Sequence, residues 1–184
     1  MPNTNAPRGF VPIRHLSGGT IRSSRYSIAS GSGNAIHYGD LVKLLATGYI
    51  DVAAAGDTNI IGVFQGWNSK DASGDVRFER RWAAGQTTLG GADADADVID
   101  DPAVIFEAQA STFALTNVGN NADITATAGD AVSGLSRHSI DMSSPGSGTA
   151  QIRILRLSSG SETGAFAKVE CLINEHLLKS AAGI

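Results

Sequence analysis

Ala167-Lys168-Val169-Glu170-Cys171-Leu172-Ile173-Asn174 alternates strictly. Ala167, Val169, Cys171 and Ile173 fall on one side, and Lys168, Glu170, Leu172 and Asn174 on the other. Successive side chains of an extended chain point to opposite faces, so this period of two predicts a half-buried strand. Ala103 to Gln109 repeats the pattern, with Val104, Phe106 and Ala108 set against Ile105, Glu107 and Gln109. Gln151 to Leu157 adds a third strand, with Ile152 and Ile154 opposite Arg153 and a less regular end at Arg156 and Leu157. Earlier in the chain, Arg25 to Ala29, Asp40 to Leu45, Tyr49 to Ala53 and Ile60 to Gly66 read as strands. They are separated by turn chemistry at Gly31-Ser32-Gly33-Asn34, Thr47-Gly48 and Gly56-Asp57. No apolar stripe of helical period runs for three turns; the best helical candidates are a turn at Asn117 to Asn120 and the tail from Asn174 to Ala182. The expected fold is mainly β: an antiparallel β-barrel or jelly-roll-like body of roughly eight to eleven strands.

The composition fits. The chain has 184 residues, 42% hydrophobic and 17% charged, with 22 glycines. That is enough for one domain with a real core and too short for two comfortable domains. The first 25 residues hold Arg8, Arg14, Arg22 and Arg25, no acidic residue, and Pro2, Pro7 and Pro12. Proline holds its neighbours extended and removes backbone donors, so residues 1–25 are expected to be an extended basic arm, with residues 26–184 as a single β-rich body. Phe10, Val11, Ile13 and Leu16 would anchor such an arm in apolar pockets. The net charge of −4 is unevenly placed, because Asp93, Asp95, Asp97, Asp100 and Asp101 cluster mid-chain. This polarity suits docking on a protein partner or self-assembly, and not nucleic acid, which calls for a basic domain.

Catalytic and cofactor patterns do not stand out. Gly31-Ser32-Gly33 and Gly146-Ser147-Gly148 continue into neither a phosphate loop nor a dinucleotide fingerprint, and no Gly-x-Ser-x-Gly elbow occurs. His15, His37, His138 and His176 are far apart in sequence and read as independent hydrogen-bonded or surface histidines. Asp93-Ala94-Asp95-Ala96-Asp97 begins like a calcium loop but has Val98 and Val104 where glycine and glutamate are required, and reads as a solvated acidic loop or salt-bridging patch. Cys171, the lone cysteine, reads as a small buried hydrophobe. No catalytic residue, cofactor or metal is expected. Nor is there a signal-peptide core or an apolar run long enough to cross a bilayer, so the chain is expected to be made in the cytosol. Trp67, Phe78 and Trp82 lie near Arg77, Arg80 and Arg81. Interfaces enrich these residue types, so Trp67, Arg80, Arg81 and Trp82 are candidates for a subunit contact, or alternatively for a carbohydrate- or host-surface-binding patch.

A set of ordered motifs runs almost end to end. It comprises Ala6-Pro7-Arg8-Gly9-Phe10 with Pro12 and Arg14-His15-Leu16; Gly39-Asp40-Leu41-Val42; Gly62-Val63-Phe64 with Gly66; Trp82-Ala83-Ala84-Gly85; Asp100-Asp101-Pro102 with Ile105-Phe106-Glu107-Ala108-Gln109; and Gly164-Ala165 through Asn174-Glu175-His176. In this order the chain resembles the structural cement, or head decoration, proteins of tailed bacteriophages. It departs at Ala83, where members often carry proline, and in its longer acidic run. The resemblance implies a non-enzymatic protein on the outer surface of an icosahedral virion, clamping neighbouring major capsid protein subunits. It also implies self-association, with a homotrimer first and a homodimer second. On this reading Arg8, Phe10, Ile13, Arg14, Leu16, Arg22 and Arg25 carry the arm's contact with the capsid.

Overall fold

A computed structural model describes residues 2–179 of the chain. The strands are, in order, β1 (Val11–His15), β2 (Ser24–Ile28), β3 (Ile36–His37), β4 (Leu41–Leu44), β5 (Ile50–Val52) and β6 (Ile60–Lys70). There follow β7 (Val76–Glu79), β8 (Arg81–Trp82), β9 (Ala94–Ile99), β10 (Val104–Gln109), β11 (Thr112–Phe113) and β12 (Asn121–Ala122). The last are β13 (Ile124–Thr125), β14 (Ser139–Ile140), β15 (Ile152–Leu157), β16 (Gly164–Ala165) and β17 (Lys168–Ile173). The fold is mainly β, as the alternation predicts. The expected helical turn is a short 3₁₀ segment at Leu115–Asn117. The tail forms another at Leu177–Lys179, and its residues 180–182 lie outside the described part.

Two sheets dominate. A five-stranded sheet runs β1-β10-β17-β15-β12, and a six-stranded sheet runs β2-β9-β6-β4-β5 with β7 added to β6. Every ladder in both is antiparallel. In β17 the apolar set Val169, Cys171 and Ile173 faces inward with Ile152 and Ile154 of β15 and Val104, Phe106 and Ala108 of β10. Together they pack on Leu41, Ile60, Val63 and Ile99 of the other sheet.

The six-stranded sheet is buried on its second face as well. Ile28, Val42, Ile50, Ile61, Phe64, Trp67, Ala94, Ala96 and Val98 line it, and Ile36 and Trp82 from the β3–β8 ladder fill it. Strand β6 reaches both cores through two bulges. The ladder to β4 skips Ile61 and the ladder to β9 skips Gln65, which brings Ile61, Phe64 and Trp67 to one side despite their spacing of three. Bulges bend and twist a strand. The sheet curls accordingly until one isolated bridge joins Ser27 to Tyr49 at its two ends. Among the described residues no ladder completes the circle, so the expected mainly β, antiparallel body takes the form of a curled sheet capped by a second sheet, without a closed barrel. Gly62 makes the curl possible, because a Cβ there would lie 2.1 Å from the carbonyl oxygen of Ile99.

The acidic run requires a correction. Asp93 to Asp97 is not a solvated loop: Ala94–Ile99 is β9, inside the six-stranded sheet, with Ala94, Ala96 and Val98 in the core and Asp95 and Asp97 on the outer face. Its alanines fit the tight interior beside Trp67, to which Ala96 is directly opposed.

Candidate interaction surfaces

Residues 2–25 do not form an arm held away from the body. Phe10 is fully buried in the core between the sheets, and its N–H donates to Gly39 O at 2.9 Å. Gly9 adopts φ +71°, and a Cβ on it would meet Gly39 O at 2.3 Å, so only glycine lets the chain enter here. Upstream, the Gln109 side chain donates to Thr4 O at 2.8 Å and accepts from the Ala6 N–H, while Asn3 donates to Glu162 O at 2.7 Å. Downstream, Val11–His15 becomes the edge strand β1, and β2 begins at Ser24. The reason is packing: a segment with one large aromatic and an extended backbone completes the nearer sheet instead of waiting for a partner.

The arginines and apolar residues of this segment separate into two groups. Arg14 binds Glu170 at 2.8 Å, a carboxylate that Arg156 also reaches at 2.7 Å, and Arg25 pairs with Asp95 at 3.5 Å. Both arginines are themselves exposed and are held by carboxylates of the chain's own surface. Arg8, Ile13, Leu16 and Arg22 remain exposed, Leu16 at 55%. Ile13 is the extra residue of a bulge between Pro12 and Arg14. Pro12 supplies no donor, and a bulge breaks the ladder, so this edge resists the addition of a further strand. It offers side chains to a partner, not backbone.

The tryptophans are core residues. Trp67 and Trp82 are buried in edge-to-face contact, with centroids 5.0 Å apart at 80°, and the Trp67 indole N–H donates to Arg81 O at 2.7 Å. Neither can stack on a sugar or a partner, which corrects their candidacy for a subunit contact and removes the main support for a carbohydrate patch. Arg80 lies over the Tyr38 ring at 5.4 Å, and Arg81 donates to Ala131 O at 3.4 Å. The exposed aromatic of that stretch is Phe78, 78% accessible on β7, beside Val76 at 60%. Among the described residues strand β7 pairs only with β6, through Trp67–Glu79, Asn68–Phe78, Ser69–Arg77 and Lys70–Val76.

The fold also assembles a polar cluster from residues far apart in sequence. Asp40 Oδ2 accepts the His37 N–H at 2.7 Å and lies 3.4 Å from His37 Nδ1, while Asp40 Oδ1 lies 3.5 Å from His138 Nε2. All three side chains are buried at the floor of a cleft of about 410 Å³, whose rim includes Asn34, Lys43 and Asp51. Gly129 lies flat on the His37 ring. Burial depresses the His138 pKa against the opposing pull of Asp40, so its imidazole is neutral at neutral pH. Asp40 and His138 were invisible as a pair in sequence, because nothing local signals a contact across 98 residues.

The remaining histidines are separate from this cluster. His15 lies 3.0 Å from Asp101, and His176 is buried with its pKa lowered to about 4, mainly by desolvation. Among the described residues no group of three His, Cys, Asp or Glu side chains is arranged to hold a metal ion. Cys171 is buried in the core with its thiol pKa pushed up by desolvation, matching the reading of a small hydrophobe. No described helix is long and apolar enough to cross a membrane.

Comparison with protein-family models, with curated proteins and with solved structures finds no match to this chain.

Proposed function

We propose that this chain is a capsid cement protein, bound to the outside of an icosahedral phage head and clamping neighbouring major capsid protein subunits. The ordered motifs carrying the resemblance suggest the class. The observation that carries the reading physically is the N-terminal segment, locked to the body by Phe10 while it turns Arg8, Ile13, Leu16 and Arg22 outward. A rigid basic and apolar strip costs little entropy on docking. A capsid repeats the same joint many times, so modest affinity at each joint suffices when clips are linked. Binding only the assembled shell stabilises that shell by mass action, against the pressure of packaged DNA.

Quantitative mass spectrometry of purified particles from the source lysate tests the proposal. A copy number close to that of the major shell protein is expected; a few copies or none would refute it. Deleting residues 1–20 is a poor probe of the docking strip, since the deletion removes Phe10 from the core. Leu16→Asp with Arg22→Glu leaves the body intact, and should strip the protein from particles at moderate salt.

A further inference from the structure

Strand β7 is an open edge of unusual character. It carries no proline and no bulge, and all four of its residues are exposed. Natural edges are protected against pairing by such devices, and β1 has two of them. Its protection is limited to its short length and its two charged residues, and an edge without proline or bulge that bears a bare phenylalanine calls for an occupant.

We propose that the occupant is a second copy of this chain, with the two Val76–Glu79 strands pairing antiparallel about a twofold axis through Phe78. The sequence of the strand selects this register. An axis at Phe78 sets Phe78 against its own copy on one face. On the other face it sets Arg77 opposite Glu79 of the second copy, twice by symmetry. An axis at Arg77 would instead oppose the two Arg77 side chains, and an axis midway between Arg77 and Phe78 would oppose Arg77 to Phe78 and Val76 to Glu79. Directly opposed aromatic and opposite-charge pairs stabilise a ladder, and like charges disfavour it.

The partners are free to meet. Arg77 holds Asp71 with Nε and Nη2 at 2.8 Å, which leaves Nη1 for Glu79 of the second copy; within one copy Asp75 and Glu79 already lie close enough to favour the Arg77 charge. The same register brings Val76 opposite Arg80 of the second copy. Arg80 borders a groove of about 230 Å³ shared with Glu79, Arg81 and the turn at 131–134, where Val132 is 98% exposed. Such a contact is self-complementary and closes as a dimer, which places the homodimer ahead of the homotrimer expected from the resemblance. It needs no capsid, so it stands or falls apart from the cement reading.

Sedimentation equilibrium of the full chain, from micromolar to millimolar concentration, tests the contact, with circular dichroism as the check on folding. The wild type should form a dimer in this range, and Phe78→Asp should be a folded monomer throughout. Arg77→Glu alone and Glu79→Arg alone should each weaken the dimer about tenfold, and the double reversal should restore it to within about threefold. A monomeric wild type would overturn the proposal. A dimer indifferent to Phe78→Asp would also overturn it, as would a double reversal no better than Arg77→Glu.

Discussion

The two strands β1 and β7 each end a sheet, and they treat their outer edges in opposite ways. Strand β1 has proline at position 12, an extra residue at Ile13, and just before it a phenylalanine sunk into the core. Strand β7 has a regular register, alternating apolar and charged residues, and its phenylalanine in solvent. Both stretches pair an aromatic residue with arginines, and composition alone does not tell them apart. The difference lies in where each phenylalanine can go. Phe10 enters through Gly9, whose φ of +71° turns the chain inward, whereas Phe78 lies beyond the end of β4, on the face of its sheet opposite Trp67, where it pairs with Asn68. One edge is thereby closed to backbone pairing and the other left open.

Substitution of the two phenylalanines should expose that difference most strongly. Phe10→Ala is expected to lower stability by about 3–5 kcal/mol in urea unfolding, as for a large core aromatic truncated to alanine. An effect below about 1 kcal/mol would mean that the N-terminal segment is not part of the core.

Acid should act next, on the β1 side. His176 has a folded pKa of about 4 against an ordinary value of 6.5. Below pH 6.5 the unfolded chain takes up a proton that the folded chain refuses, so stability is full above that pH and falls as the pH drops toward 4. Buried His138 acts in the same direction. Asp101, held below the usual carboxylate range by the Ala103 N–H and then by His15, extends the loss to lower pH, because its contribution vanishes as it protonates. Urea midpoints between pH 7 and pH 4 should fall steadily in the wild type and less steeply in His176→Gln. Equal slopes would remove His176 as the cause.

A smaller effect is expected of Arg14→Ala, which removes one of two arginines from Glu170. Arg156 keeps the carboxylate paired, so the loss should be about 0–1 kcal/mol by urea titration. A larger loss would show that Arg14 holds β1 in place. Phe78→Ala should be the mildest change in the monomer, within about 0.5 kcal/mol when unfolding is followed at concentrations below association. A core-sized loss there would contradict its exposure.

Much of the fold was legible because alternation is a local property. The patterns in Lys168–Ile173, Val104–Gln109 and Ile152–Leu157 place strands with nearly correct ends, and even the irregular end of the last corresponds to a bulge that skips Leu155. The acidic run carried the same alternation in Ala94-Asp95-Ala96-Asp97-Val98. Its charges concealed it, since alanine is a weak strand signal until a tight interior requires a small residue. The candidate contact residues fared less evenly. Arg8, Ile13, Arg14, Leu16, Arg22 and Arg25 are exposed, while Phe10, Trp67 and Trp82 are inside.

By itself the sequence determined the class of fold and the main strands, because a period of two needs only neighbours. Tertiary structure alone decided which aromatics are buried, that the curled sheet stops short of a barrel, and that Asp40 meets His138. Those outcomes depend on bulges, on glycines such as Gly62 and Gly9 that permit close approach, and on pairings between distant segments. Each is settled by how space is filled between two sheets, and no window of consecutive residues contains that information.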